Sequence, residues 1–436
     1  MSPEYLGILS LVVLFGAIFV GFPIAFTLLA VALVFGYIGL GNLVIHLMTL
    51  QIFSVMKDSV LASVPFFLFM GYLLEQSGLM DRLFRGIQLL LGRVHGALYL
   101  AVLLTATIFA AATGIVGSSV TMLGVMAAPS MKRSNYDVRM SAGAITAGGT
   151  LGILIPPSVM LIVMGPVVGV PATDLFAAAV FPGLMLAAIY IAYTMIRCYI
   201  DPTLGPPLPI EERAESIWHA AREILIGVVP IVIVIMATLG TIIMGIATPT
   251  DAAACGAFAV FILTLAYRRL TWEGLKAAVF RTLIVSSMIL FLVAASNFYG
   301  SVFSRLGSTT LIAESLLMLQ LPPTPMLVLI LIVIFVLGWP LGWVPIVLIV
   351  VPILLPLVKA LNIDLIWFCT LVAVCLQTAW LSPPVAMSAY FLRGVVPDWS
   401  LKDIYAGMVQ FMILQVIGLA LLLLFPQIAL WLPKVS

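Results

Sequence analysis

Two Pro-Pro pairs sit inside apolar stretches of this 436-residue chain, Pro156-Pro157 and Pro383-Pro384. Proline inside a helix removes a hydrogen bond and clashes with the preceding turn, so each pair breaks a helix. Each pair lies 19 residues after an aspartate (156 − 137 and 383 − 364). One offset of 227 maps Pro129 on Pro356, Asn135 on Asn362, Asp137 on Asp364 and Met160 on Met387. The chain therefore states one unit twice, and each copy carries a broken hydrophobic helix. Broken helices at matching positions of two halves point to a transporter binding site.

Composition selects the solvent. The chain is 64% hydrophobic and 8% charged, with a mean hydropathy of +1.27. A soluble domain carries about 25% charged residues. Apolar runs near 20 residues imply a polytopic helical membrane protein. The net charge of +2 is spread over helix ends and implies no nucleic-acid partner. Cys198, Cys255, Cys369 and Cys375 lack metal-ligand spacing and read as small hydrophobes. Residues 1–20 lack a basic n-region and an A-x-A site, so a retained first helix is expected.

Crossings are expected at about 5–20, 24–41, 59–78, 137–168, 174–197, 222–246, 250–267, 282–303, 364–392 and 403–432. Between them lie two longer apolar units, 96–130 and 325–358. If each unit enters and leaves on one side, only Lys57, Arg305, Lys359 and Lys434 of the 19 Lys and Arg residues face one way. The other 15 (19 − 4) face the cytoplasm by the positive-inside rule, which puts both termini outside. Each half then holds five crossings. An odd count makes the second half an inverted repeat. The first repeat is read as 1–199, a cytoplasmic linker as 200–221 ending in a surface helix, and the second repeat as 222–436. Segments 42–57, 79–92, 269–281 and 308–321 read as separate helices at the interface.

The two longer units read as re-entrant hairpins. The first breaks within Ala112-Thr113-Gly114-Ile115-Val116-Gly117-Ser118-Ser119, giving arms of about 15 residues, too short to cross. The second breaks within Gly338-Trp339-Pro340-Leu341-Gly342-Trp343-Val344-Pro345. Each tip is expected to meet the broken helix of its own half. Unwound carbonyls and hydroxyls suit a small hard cation such as sodium. Candidates for a first cation site are Thr113, Gly114, Gly117, Ser118, Gly149 and Thr150. Those for a second are Gly338, Gly342, Gln377, Thr378 and Ser382. An organic anion is expected between them, near Ser119, Ser158, Trp339 and Trp343. Pro157 and Pro384 are expected near the first positions of the half-helices that face it. No acidic residue is expected at either tip. Asp137, Asp364 and Asp174 read as caps, Asp251 as a cap or an intramembrane carboxylate, and Glu75 and Glu314 as partners of interfacial arginines. Arg393 reads as a membrane-end anchor or an attraction for anions.

The strings GSSVTMLGVMAAPSMKRSNYD (117–137), AGGTLGILIPPS (147–158), DLFAAAVFPGLML (174–186) and VPILLPLVKALNID (351–364) resemble the large membrane subunit of tripartite ATP-independent periplasmic (TRAP) transporters. The resemblance covers essentially the whole chain. It implies a sodium-coupled elevator-type importer of organic anions in the inner membrane. It also implies a periplasmic substrate-binding protein and a separate small four-helix membrane subunit. The moving domain would comprise about 96–168 plus 325–392. Two departures stand out. Leu381-Ser382-Pro383-Pro384-Val385-Ala386 replaces a string like ITPPVG in many relatives, and the second tip lacks their acidic residue. The string AYFLRGVVPDW (389–399) is more similar to branches for 2-oxo and hydroxy acids than to the sialic acid branch. No GxxxxGK[ST] or HExxH motif exists, which argues against a pump or an intramembrane metalloenzyme. The competing reading is a channel or a structural scaffold without coupled transport.

Overall fold

The same capping chemistry opens both broken helices. Asp137 accepts from the Met140 amide at 2.7 Å and starts helix Val138–Thr150. Asp364 accepts from the Trp367 amide at 2.9 Å and starts Leu365–Gln377. Two residues upstream, Asn135 and Asn362 hold φ of 54° and 52°. Asparagine tolerates this left-handed turn because its short side chain bonds locally. These details come from a computed structural model that describes residues 2–209, 217–383 and 385–435. All regular elements among the described residues are helical.

The repeat runs through the backbone. In the first half, Pro3–Val20 ends on Gly21 at φ 105° and Ile24–Leu40 follows. In the second, the stretch from Ile217 to Ile243 ends before Gly245 at φ 68°, and Pro249–Ala266 follows. Gly114 (φ 62°) and Gly342 (φ 71°) each separate two helical arms. Both broken helices tighten into a 3₁₀ turn, Leu151–Ile153 and Thr378–Trp380. They resume as Val159–Val168 and Met387–Val395.

The two halves interlock. The second arm of the first hairpin, Val116–Arg133, packs against the resumed half-helix Met387–Val395. The second hairpin packs reciprocally against Val159–Val168. Helix Val138–Thr150 crosses the last long helix, Leu401–Leu424, at glycine contacts. A Cβ on Gly407 would lie 1.9 Å from the Arg139 carbonyl. Small residues at such crossings let membrane helices approach closely enough to pack in the absence of a hydrophobic driving force. Large apolar side chains such as Val20 and Tyr199 stand exposed, 78% and 88%, as lipid-facing positions do.

Several boundaries differ from the sequence reading. Residues 269–281 do not form a separate interfacial helix, because Trp272–Arg305 is one 34-residue helix. No proline or glycine–proline signal interrupts that run. The last crossing ends at Leu424 rather than 432, where the turn at Phe425-Pro426 intervenes. The hairpin arms are longer than expected: 17, 18, 19 and 18 residues. They reach on the order of 26–29 Å at about 1.5 Å per residue. Arm length alone therefore does not make a hairpin re-entrant. The linker begins bound to the first hairpin's entry. Gly96 donates to the Gly205 carbonyl at 2.8 Å, and Tyr99 donates to the Leu204 carbonyl at 2.7 Å. Residues 210–216 of the linker lie outside the described residues. The surface helix expected at its end is instead the start of Ile217–Ile235.

Candidate functional site at the hairpin tips

The first tip is a close fit of backbone on backbone. Thr113 ends the arm Ala97–Thr113 and Gly114 turns left-handed. A Cβ on Gly114 would lie 2.8 Å from the Pro157 carbonyl oxygen, 3.7 Å from Ser158 Cα and 3.8 Å from the Gly152 carbonyl oxygen. Only glycine satisfies both the positive φ and this approach. The unwound segment between the two half-helices thus faces the tip with carbonyl oxygens. The Pro156-Pro157 peptide is cis.

The hydroxyls around this tip share one state. Thr113 donates to the Phe109 carbonyl at 3.0 Å, Ser119 to Ile115 at 2.6 Å and Thr150 to Ala147 at 2.8 Å. Ser158 donates to the Ile153 carbonyl. A hydroxyl that has given up its hydrogen to a carbonyl keeps its lone pairs for a cation.

Not every candidate belongs to the tip. Gly149 packs on Val120, where a Cβ would sit 2.9 Å from the backbone nitrogen. Gly117 seats the Phe391 ring at 3.1 Å from its would-be Cβ. Both are close-packing positions, which small residues mark as readily as ligand positions do. Ser118 lies beside the Glu75 carboxylate, and Glu75 faces Arg281 at 3.9 Å. Glu75 is thus an acid near the first tip that local sequence does not place there. Among the described residues Glu314 has no such ion pair. Pro157 also differs from expectation: Ser158 is the cap and Val159 the first helical residue.

The second tip is built differently. The arm Pro323–Leu341 runs helically through Gly338 and Pro340, and the break falls at Gly342. Gly338 packs toward Ala379 and Leu376, which brings it to the turn of the second broken helix. No atom lies within 4 Å of a Cβ on Gly342. Trp339, Trp343 and Trp380 wall an apolar cavity of about 240 Å³ beside it. The indole nitrogens of Trp339 and Trp380 are buried without partners. Gln377 is fully buried, and neither its amide oxygen nor its amide nitrogen has a hydrogen bond. Thr378 donates to the Cys375 carbonyl at 2.6 Å, and Ser382 donates to Thr378 at 2.6 Å. Pro384 lies outside the described residues. The half-helix starts only at Met387, after Ala386 at φ 26°, so Pro383 is not near its first position.

Remaining polar candidates take structural roles. Thr248, not Asp251, caps its helix: its hydroxyl accepts from the Asp251 amide at 3.2 Å and donates to the Asp251 carboxylate at 2.6 Å. Asp174 sits in a first turn that Pro171 caps, so it is not itself the cap. Arg393 bonds the Trp399 carbonyl and ties down the following loop. Among the described residues no cluster of three or more His, Cys, Asp and Glu residues has a metal-holding arrangement.

Comparison with known proteins decides the family. Residues 11–428 match the model of the tripartite ATP-independent periplasmic transporter, DctM component. The chain belongs to this family. It is 28% identical to the sialic acid TRAP transporter large permease protein SiaM of Vibrio cholerae, over 96% of each chain. It is 27% identical to the C4-dicarboxylate TRAP transporter large permease protein DctM of Rhodobacter capsulatus, over 98% of this chain and 99% of that one. It is also 26% identical to the ectoine large permease TeaC of Halomonas elongata, over 96% of each. The YdaH transporter of Alcanivorax borkumensis shares the fold, with a TM-score of 0.63 over 89% of this chain and 88% of that one, at 14% identity. Eight described helices are long and apolar enough to span a membrane. The chain is a multi-pass TRAP large permease subunit, as the resemblance implied.

The sequence reading missed Trp380 and Gly152 as site residues; it expected the pairing of Glu75 with an arginine, which Arg281 provides, but not its place beside Ser118. Trp380 and Gly152 lie within the two broken-helix strings, so the signal was local. Glu75 carried no local signal, because its place beside Ser118 depends on a contact across 43 residues (118 − 75).

Proposed function

We propose that this permease takes up a small organic acid together with sodium across the inner membrane. The hairpins and broken helices, about 96–168 plus 325–392, would move as one body against the remaining helices. The carrying observation is that each hairpin packs against the broken helix of its own half, the first through its break, Gly114 at Gly152 and Pro157, and the second through the last turn before its break, Gly338 at Leu376 and Ala379. Carbonyls of the unwound segments and hydroxyls already bonded to carbonyls give hard-oxygen ligands for sodium. Thr113, Gly114, Thr150 and Ser118 would serve the first site. Gln377, Thr378, Ser382, Gly338 and Gly342 would serve the second. Gln377 supports this most directly, since an unpartnered buried amide costs stability unless something binds it.

The anion would lie between the tips, against Ser119, Ser158, Trp339 and Trp343. The relatives named for sialic acid, C4-dicarboxylate and ectoine support a small polar substrate, and the 389–399 string favours a 2-oxo or hydroxy acid. A periplasmic binding protein would deliver it, and a small membrane subunit would brace the helices outside the moving body. The Lys and Arg distribution favours a cytoplasmic face rich in them, with both termini outside. Uptake of a ligand identified on the periplasmic partner, measured in proteoliposomes, should vanish when sodium is replaced by potassium. Undiminished uptake without sodium would refute the coupling. A disulfide pair that locks the moving body to the other helices should abolish transport; full transport in the locked protein would remove the elevator mechanism.

A further inference from the structure

A second feature lies away from the tips. A cleft of about 550 Å³ opens between the long helix Trp272–Arg305, the helix Leu43–Lys57 and the second arm of the second hairpin. This is the size of a small-molecule site. Arg305 stands on one wall and Lys359 on the other, and no Asp or Glu lines it. Among the described residues neither cation has an ion pair or a hydrogen-bonded side-chain partner. The side chains of Gln51, Asn297, Ser301 and Ser304 also line the cleft without partners in the protein.

The repeat supplies an internal control. Lys132 is the mirror of Lys359 (132 + 227), and Lys132 is paired, bonding Asp398 at 2.6 Å. The corresponding cleft in the first half contains Arg85 and Arg133 but also Asp81. Its volume is about 380 Å³. Gly71 and Gly300 are mirror positions at offset 229. Gly71 is pressed against the Thr113 carbonyl, 2.7 Å from a would-be Cβ, whereas Gly300 lines the open cleft with nothing within 4 Å. The first half thus narrows this place and sets carboxylates beside its cations, where the second half leaves a wider cleft lined by cations alone.

We propose that this cleft is an anion-docking site, in which a carboxylate is held between Arg305 and Lys359 while its hydroxyl or oxo groups meet Asn297, Gln51 and the serines. It rests on the reading of the chain as an anion permease, and adds where the anion first binds. Both cations belong to the face with few Lys and Arg residues, the face proposed to be outside. Because Lys359 rides on the hairpin and Arg305 on the long helix, movement of the hairpin would separate them and release the anion.

The test needs no transport. Cys255 is replaced by Ser, because it is exposed while the other three cysteines are buried. Ser301→Cys then places a thiol in the cleft. In membranes open on both faces, its reaction with sulfonatoethyl and trimethylammonioethyl methanethiosulfonate is timed, each rate normalised to a free thiol in solution. The anionic reagent should react about tenfold faster than the cationic one, the scale of electrostatic focusing in a charged cleft. Arg305→Gln with Lys359→Gln should bring the ratio near one. Arg305→Lys with Lys359→Arg should preserve it, which separates charge from misfolding. Millimolar succinate should slow labelling in the charged forms. A ratio near one in the parent, a ratio unmoved by neutralisation, or no protection by succinate would overturn the proposal. A flat ratio with sodium-driven uptake intact sinks the cleft alone. A steep ratio with no uptake sinks the transport reading alone.

Discussion

The two hairpin tips share one plan and differ in fit. At the first, Gly114 touches the unwound carbonyls and Gly71 presses on Thr113 from outside. At the second, Gly342 faces open space, three tryptophans wall an apolar cavity, and Gly300 lines a cleft. Duplication explains the shared breaks and caps. The difference arises in what packs against them: backbone conformation asks for glycine at both turns, but only at the first does backbone also meet backbone. The first tip is thus sealed backbone to backbone, whereas the second borders open space.

The sharpest way to break this comparison is an alanine at each turning glycine. Gly114→Ala meets both a left-handed φ and the Pro157 carbonyl, and should cost on the order of 2–5 kcal/mol. Gly342→Ala meets no atom, but φ 71° with ψ −174° is a conformation essentially confined to glycine, and it should cost about 1–3 kcal/mol. Melting of the purified proteins checks this, and equal losses would mean that the tips are docked alike.

Next come the mirror glycines outside the tips. Gly71→Ala should lose about 1–3 kcal/mol, because a backbone carbonyl cannot yield as a side chain can. Gly300→Ala should be neutral or gain up to about 1 kcal/mol, as alanine favours the helix and meets no atom. Loss of stability at position 300 would show that the cleft is closed in solution.

Thr150 and Gln377 are mirror positions (150 + 227) and sharpen the chemical side. Gln377→Leu removes a buried unpartnered amide, so the sodium-free protein should gain about 1–3 kcal/mol. The same variant should need about tenfold more sodium for half-maximal uptake, the equivalent of about 1.4 kcal/mol. Unchanged sodium dependence would leave Gln377 without a role at the second site. Thr150→Val loses a hydroxyl already bonded to Ala147 and should destabilise by about 1 kcal/mol.

The smallest effect concerns Lys132 and Asp398. The Lys132 hydrogen bond, then its charge, holds the Asp398 carboxyl below its ordinary value. A depressed pKa means that the pairing favours the fold above the unfolded value of about 3.9 and is lost as pH falls through the folded one. Both groups are substantially exposed, so screening keeps the gain small. Asp398→Asn should lower the melting point slightly at pH 7, and the gap should shrink toward acid pH. A gap that widens on acidification would contradict the pairing.

Much of this was legible in the sequence because it is local. A proline pair breaks a helix wherever it stands, an aspartate caps the helix that follows it, and a repeat at offset 227 carries both to a second place. Gly114 and Gly342 were among the candidates for the same reason. Local signals overreached where small residues serve two ends. Gly117 and Gly149 look like unwound backbone but seat Phe391 and Val120. They failed where no break signal exists, as at the join of 269–281 to the crossing that follows.

The sequence by itself determined the membrane, the duplication, the helix breaks and the family, since each depends on residue type and spacing along the chain. Only the tertiary structure decided that Glu75 lies beside Ser118, that Gln377 is buried without a partner, and that Lys359 faces Arg305 while Lys132 is neutralised. Those facts depend on which surfaces meet across the fold. Two copies of one local code cannot specify that, because each copy packs against different neighbours.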